Sequence, residues 1–208
     1  MEHLPAPGKR HRPHGGGGRA HWRQVYPAGY ASHWDTDGAM PAYVALLRAI
    51  NVGGTQLPMD ALLAMCRSAG FEQACTAGAS GHAVFRSRLG ARQVSHALEA
   101  RLAEYLGKPV GVHVRTAAEL ATVLTENPFP GTPPSRNVTV FLHGPPPEGT
   151  LESVRGLGAE QLALGRRDIY VAYPHGIGAS KLIIPAASTG TARNLNTIGR
   201  LAALAAAL

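Results

Sequence analysis

From Tyr43 to Arg115 the apolar residues change period in a fixed order. That order restricts the fold more than any other feature of the chain. Tyr43–Leu47 is an unbroken apolar run of strand length. Pro58 suits the first turn of a helix, and Leu62, Leu63, Cys66 and Ala69 then recur at helical spacing until Gly70 stops them. Glu72–Thr76 predicts a short strand, Ala77–Gly81 a small-residue turn and His82–Ser87 a second strand. Ala91–Leu106 predicts a long helix, with Val94, Leu98, Leu102 and Leu106 spaced by four and Gly107 as its stop. Val110–Arg115 alternates as a strand. Strand, helix, strand, strand, helix, strand is the split βαβ, ferredoxin-like arrangement.

Thr116 with Glu119 three residues on forms a capping box, and the helix it opens runs to near Asn127. A Pro-rich connector, PFPGTPPS, follows. Val138–Leu142 predicts a strand, and GPPPEG turns into a short helix near Leu151–Arg155. Gln161–Leu164 and Ile169–Tyr173 form a hairpin across Gly165–Asp168. After the glycine-rich loop Pro174–Lys181, Asn194–Leu208 is a helix rich in alanine and leucine. The second half thus reads β-α-β-β-α, a partial echo of the first without a sequence repeat that marks duplication. The expected class is α+β. A ferredoxin-like subdomain with a trailing helix spans 40–127, and a smaller α+β subdomain spans 128–208.

Residues 1–39 hold five histidines, a four-glycine run and both tryptophans, with no helical or strand period. Such a stretch does not repay its ordering entropy by burial and is expected to be a disordered basic leader. Its histidines lack the fixed spacing that a coordination geometry requires.

At 45% apolar and 16% charged, the 208-residue chain can bury a real core. The net charge of +7 permits phosphate-bearing partners without demanding them. Cys66 and Cys75 form no CxxC and no disulfide framework, which points to buried thiols in a reducing compartment. No apolar run reaches transmembrane length, and the N-terminus lacks a secretory h-region. Cytoplasm is the expected location, with no membrane partner.

Chemistry concentrates in four places. The first is Arg48, Asn51, Gly53 and Gly54, after the first strand. The second is the turn Ser80–Gly81–His82. The third is Gly176–Lys181, including Ser180 and Lys181, and the fourth is Thr191–Asn194, including Arg193 and Asn194. Each pairs a polar or basic side chain with a flexible backbone or a helix start. Were they to converge, N–H groups and the cations Arg48, Lys181 and Arg193 would surround an anion. Taken singly, each has an ordinary structural reading as a cap, a tight turn or a surface pair.

No catalytic or metal motif is complete. GIGASK lacks the GxxxxGK spacing of a phosphate-cradling loop, and Ser180 beside Lys181 is not an SxxK pair. His82, His96, His113, His143 and His175 show no ligand spacing, so no metal and no cofactor is expected. Tyr43 and Phe85 lie on the strands that RNA-recognition domains use for base stacking, but their neighbours are apolar on both faces. The second half is expected to cover that sheet, which disfavours nucleic acid as a partner. The leading expectation is a protein that binds a small anionic molecule, bearing phosphate or carboxylate, at the subdomain junction. The alternatives are a nucleic-acid-binding module, or an interaction protein using Leu201, Leu204 and Leu208 of the last helix.

YVALLRAINVGG, Pro58-Met59, SGHAVF, NPFP, GIGASK and TARNLNTI, in that order and spacing, resemble the bacterial family known as domain of unknown function 1697. The resemblance runs from about Ala42 to Leu201. It implies a two-subdomain α+β protein of the bacterial cytoplasm and implies no activity. Ala49 stands where the family usually has glycine. Ala77, Gly78 and Ala79 replace a more typical tyrosine, isoleucine and glutamine, His82 a usual asparagine and Leu195 a usual tryptophan. Losing the tyrosine, the glutamine and the asparagine removes hydrogen-bonding groups from the Ser80 turn, while Arg48, Asn51, Gly53, Gly54, Ser80, Lys181, Arg193 and Asn194 remain as the family would have them.

Overall fold

The computed structural model of the chain describes residues 40–78 and 80–208. The leader expected over 1–39 lies outside the described residues, as does Ala79 of the small-residue turn.

The first half forms β1 (Ala42–Leu47), α1 (Met59–Ser68), β2 (Glu72–Thr76), β3 (His82–Arg86), α2 (Ala91–Leu106) and β4 (Val112–Thr116), in the expected order. All pairings are antiparallel, and the strand order is β2-β3-β1-β4. Alternation along β1 decides both faces of this sheet. Tyr43, Ala45 and Leu47 point at α1 and α2, where Phe85, Leu62, Leu98 and Leu102 complete one core. Val44 and Leu46 point the other way, onto α3 (Ala117–Thr125) and α4 (Leu195–Ala206). Neither face is open for base stacking, and Tyr43 and Phe85 are buried.

α3 opens on the foreseen capping box: Thr116 Oγ accepts from the Glu119 N–H at 3.1 Å, and the Glu119 carboxylate accepts from the Thr116 N–H at 2.9 Å. α4 buries Ile198, Leu201 and Ala205 on its own protein, so the apolar face of the last helix is spent on the core. Full burial of a side chain such as Ile198 or Leu201 stabilises by about 1.5–3 kcal/mol.

The second half forms β5 (Asn137–Phe141), β6 (Gln161–Leu164), β7 (Asp168–Ala172) and β8 (Thr191–Asn194) in the order β6-β7-β5-β8. Its first to fourth strands occupy the same relative places as those of the first sheet. The echo therefore extends to topology, with irregular segments where the first half has α1 and α2. The helix expected near Leu151–Arg155 is replaced by turns, and Arg155 instead pairs with Ile183 in an isolated bridge. A proline run, Pro145–Pro147, and Gly149 at φ +72° precede it, a sequence that favours turns over helix. The helix expected from Asn194 begins one residue later, and the four residues before it are β8.

The layers run α1 and α2, first sheet, α3 and α4, second sheet, then the segment 174–190. That last segment lays Leu182, Ile184, Ala186 and Ala187 on Val138, Val140, Ile169 and Val171. The two sheets are also joined by a buried ion pair. Arg115 of β4 donates to Asp168 Oδ1 at 3.1 Å and to the carbonyls of Leu142 and Arg167, and it stacks 5.2 Å from the Phe141 ring.

Candidate functional site

Four pieces of chain meet at the C-terminal end of β1. The Leu47 N–H donates to Gly81 O at 3.0 Å, and the Arg48 N–H donates to Gly111 O at 2.9 Å. Gly81 sits at φ +70°, and a Cβ there would crowd Ile50 Cβ at 3.1 Å, so both backbone angle and space favour glycine. From the second sheet, Thr191 Oγ donates to Leu47 O at 3.3 Å.

Arg193 fastens this junction. Its Nη2 donates to Leu47 O at 2.8 Å and to Ser80 O at 3.3 Å. Its Nη1 donates to Thr191 Oγ at 2.8 Å and to Ala192 O at 2.7 Å, and its Nε donates to His82 Nε2. Every nitrogen of the guanidinium is thus committed to the protein, and burial pulls its pKa down to about 10. Arg193 holds the site together; it has no donor left for a ligand.

His82 must accept at Nε2, so its proton sits on Nδ1, which donates to Ala77 O at 3.3 Å. Burial, followed by the charge of Arg193, lowers its pKa to about 4. His113 is also buried. Its Nε2 lies 3.1 Å from Thr189 O, its Nδ1 has no partner among the described residues, and its ring stacks on His143 with centroids 4.1 Å apart. Burial and then His143 lower its pKa to about 4 as well.

Arg48 differs from Arg193. It is exposed, and among the described residues Ser188 O is the one acceptor its guanidinium meets. The loop it begins is conformationally unusual. Ala49, Asn51, Gly53 and Gly54 all have positive φ, at +52°, +56°, +59° and +85°. For alanine that region costs roughly 1–2 kcal/mol. The Asn51 side chain holds the loop closed: Oδ1 accepts from the Leu57 N–H at 2.9 Å, and Nδ2 donates to Leu57 O at 3.3 Å. The Asn51 N–H donates to Thr55 O at 2.8 Å and the Thr55 N–H to Val52 O at 3.2 Å. Among the described residues no backbone bond takes the N–H groups of Val52, Gly53 and Gly54. Those residues line an open cavity of about 420 Å³ bounded by Asn51–Pro58. Lys108 donates to Thr55 Oγ and adds a cation to the same loop.

The nine residues singled out from sequence thus fall into separate groups. Ser80 and Arg193 meet beside Leu47, Arg48 follows Leu47 in the chain but turns its guanidinium to Ser188 O, and Asn51, Gly53 and Gly54 form the adjoining loop. Asn194 caps α4, its Oδ1 accepting from the Thr197 N–H at 3.0 Å. Ser180 and Lys181 line a different cavity of about 270 Å³ with Glu160, Tyr173 and His175, and Ser180 donates to the Glu160 carboxylate. Among the described residues no cluster of three or more His, Cys, Asp or Glu could hold a metal ion, and no helix is long and apolar enough to cross a membrane.

Sequence reasoning missed Lys108, the acceptor role of His82 and the Arg115–Asp168 pair. For Arg115 a signal exists. In VHVRT the polar residues His113 and Arg115 share one face of a strand in an otherwise apolar sheet.

The family described as "Protein of unknown function (DUF1697)" matches residues 40–170. Among solved structures the fold is similar to that of conserved bacterial protein SP0830 from Streptococcus pneumoniae. The TM-score is 0.69 and the identity 22%, over 81% of this chain and 99% of that chain. No curated protein matches the chain.

Proposed function

This chain belongs to the DUF1697 family of proteins of unknown function, and we propose that it is a cytoplasmic protein that binds a small anionic molecule at the Arg48–Gly54 corner. The anion is a phosphate or carboxylate group. Arg48 supplies a bidentate-capable cation, Lys108 a second charge, and Val52, Gly53 and Gly54 the N–H donors. Arg193, Ser80 and Asn194 belong to the frame. Ser180 and Lys181 lie apart from this corner and are not part of the proposed contact set.

One observation carries this reading. The Asn51 clamp on Leu57 holds a left-handed loop with uncommitted N–H groups next to an exposed arginine. Residues held in that region of backbone space cost energy, and such strain gathers at ligand-binding sites.

Thermal denaturation with a panel of inorganic phosphate, pyrophosphate, nucleotides, sugar phosphates and dicarboxylates tests the proposal. A compound at a hundred times its dissociation constant stabilises by about 2.7 kcal/mol. Arg48→Ala abolishes that stabilisation and Lys181→Ala leaves it in place. No stabilisation by any compound, or an equal effect in Arg48→Ala, overturns it.

A further inference from the structure

We propose that two copies of this chain pair edge to edge through β6, joining their second sheets into one antiparallel sheet. The inference is independent of the anion site.

A sheet edge presents unpaired N–H and C=O groups that template another strand, and proteins normally block them. Three of the four edges here are blocked. On β4 the outward C=O of Val112 accepts from Ser95 Oγ at 2.6 Å, and its N–H donates to Glu99 Oε1 at 3.0 Å. The next outward groups on β4 are taken by Arg115 Nη1, at Val114 O, and by Glu119, at the Thr116 N–H. On β8 the outward C=O of Ala192 accepts from Arg193 Nη1 at 2.7 Å. On β2 the register breaks between Glu72 and Cys75, and Gln73 is turned to φ +52°.

β6 has no such protection. The Gly165 N–H donates to Asp168 O at 2.7 Å, so by strand alternation Ala163 and Gln161 also face β7, and Leu162 and Leu164 present their N–H and C=O outward. Among the described residues no side chain caps those four groups. Gln161–Leu164 carries no charge, proline or bulge, and Leu164 is 43% exposed.

The edge is complementary to itself. In an antiparallel pairing with Ala163 opposite Ala163 of the second copy, each Leu162 faces Leu164 of the other copy. These are the positions that exchange both backbone bonds. The same register brings Glu160, just before β6, towards Arg166 of the second copy, in the bend just after it, at both ends of the contact; the Glu160 carboxylate also accepts from Ser180 Oγ and the Gly158 N–H. Backbone and charge therefore select one alignment. A shift by two residues sets charged residues against Leu162 or Leu164. Opposite charges across paired strands stabilise, and like charges destabilise.

Sedimentation velocity on the full 208-residue chain over a range of concentrations tests the proposal. The wild type is expected to show a monomer–dimer equilibrium. Arg166→Glu alone, or Glu160→Arg alone, places like charges at both ends and weakens association by about tenfold or more. An equimolar mixture of the two variants regains wild-type association, because each then meets its complement. Leu164→Pro removes an outward N–H without touching the ladder to β7 and suppresses the dimer. A wild type that stays monomeric at every concentration overturns the proposal. So does a dimer that ignores Arg166→Glu, or a mixture that associates no better than its components.

Discussion

Arg193 Nε donates to His82 Nε2, which requires that nitrogen to be bare. An arginine on β8 of the second sheet thus fixes the tautomer and charge of a histidine on β3 of the first.

The pH dependence of stability follows from that contact. His82 and His113 both have folded pKa values of about 4, depressed from 6.5, chiefly by burial. Unfolding exposes them to protonation, so between those values the unfolded state binds more protons and stability falls as the pH falls. Their contribution is fully present above pH 6.5 and is lost progressively towards pH 4. Each contributes a slope of up to about 1.4 kcal/mol per pH unit inside that window. Urea titrations from pH 7.5 to pH 5 measure the slope above the range where most carboxylates titrate. A flat profile contradicts the assignment.

Arg193→Ala takes the charged donor from buried His82 Nε2 and from Leu47 O, which keeps only Thr191 Oγ at 3.3 Å. The expected loss is about 3 kcal/mol, because buried acceptors deprived of a charged donor lose its bond and stay desolvated. Urea unfolding measures it, and a loss below about 1 kcal/mol shows that the guanidinium is dispensable to the frame.

Asp168→Ala removes one member of a buried ion pair and strands Arg115 between the sheets. The expected destabilisation is about 3–5 kcal/mol. Arg115→Met combined with Asp168→Leu recovers much of it, since the uncompensated charge is then gone. A double variant no more stable than Asp168→Ala refutes this account of the junction.

Ala49→Gly relaxes a left-handed alanine at φ +52°. It is expected to stabilise the chain by about 1 kcal/mol, the left-handed penalty of alanine less the added chain entropy of glycine. Equilibrium denaturation gives the sign, and a destabilised Ala49→Gly variant would show that the alanine side chain contributes contacts that outweigh the strain.

Much of the fold was readable from residues. The period changes between Tyr43 and Arg115 gave the first sheet and its helices, and Thr116 with Glu119 marked α3. β8 was not readable, because Thr191–Asn194 is four residues long and carries no apolar alternation. It pairs with β5, about fifty residues earlier, and that pairing rather than local preference makes it a strand. The absent helix at Leu151–Arg155 shows the same limit, since a partner at Ile183 decided its backbone. At the candidate site the sequence named Arg48 and Arg193 alike. Only the fold separates the arginine whose donors are all taken from the one that faces solvent, because the acceptors Leu47 O and His82 lie more than a hundred residues away in the chain.

The most direct test of the anion corner is a titration of the ¹⁵N-labelled chain with pyrophosphate, followed by amide and arginine Nε shifts. The account predicts saturable shifts at Val52, Gly53, Gly54 and Arg48 Nε, with Arg193 Nε and the Ser180–Lys181 amides unmoved. Shifts centred on Lys181, or none along Val52–Gly54, would contradict it.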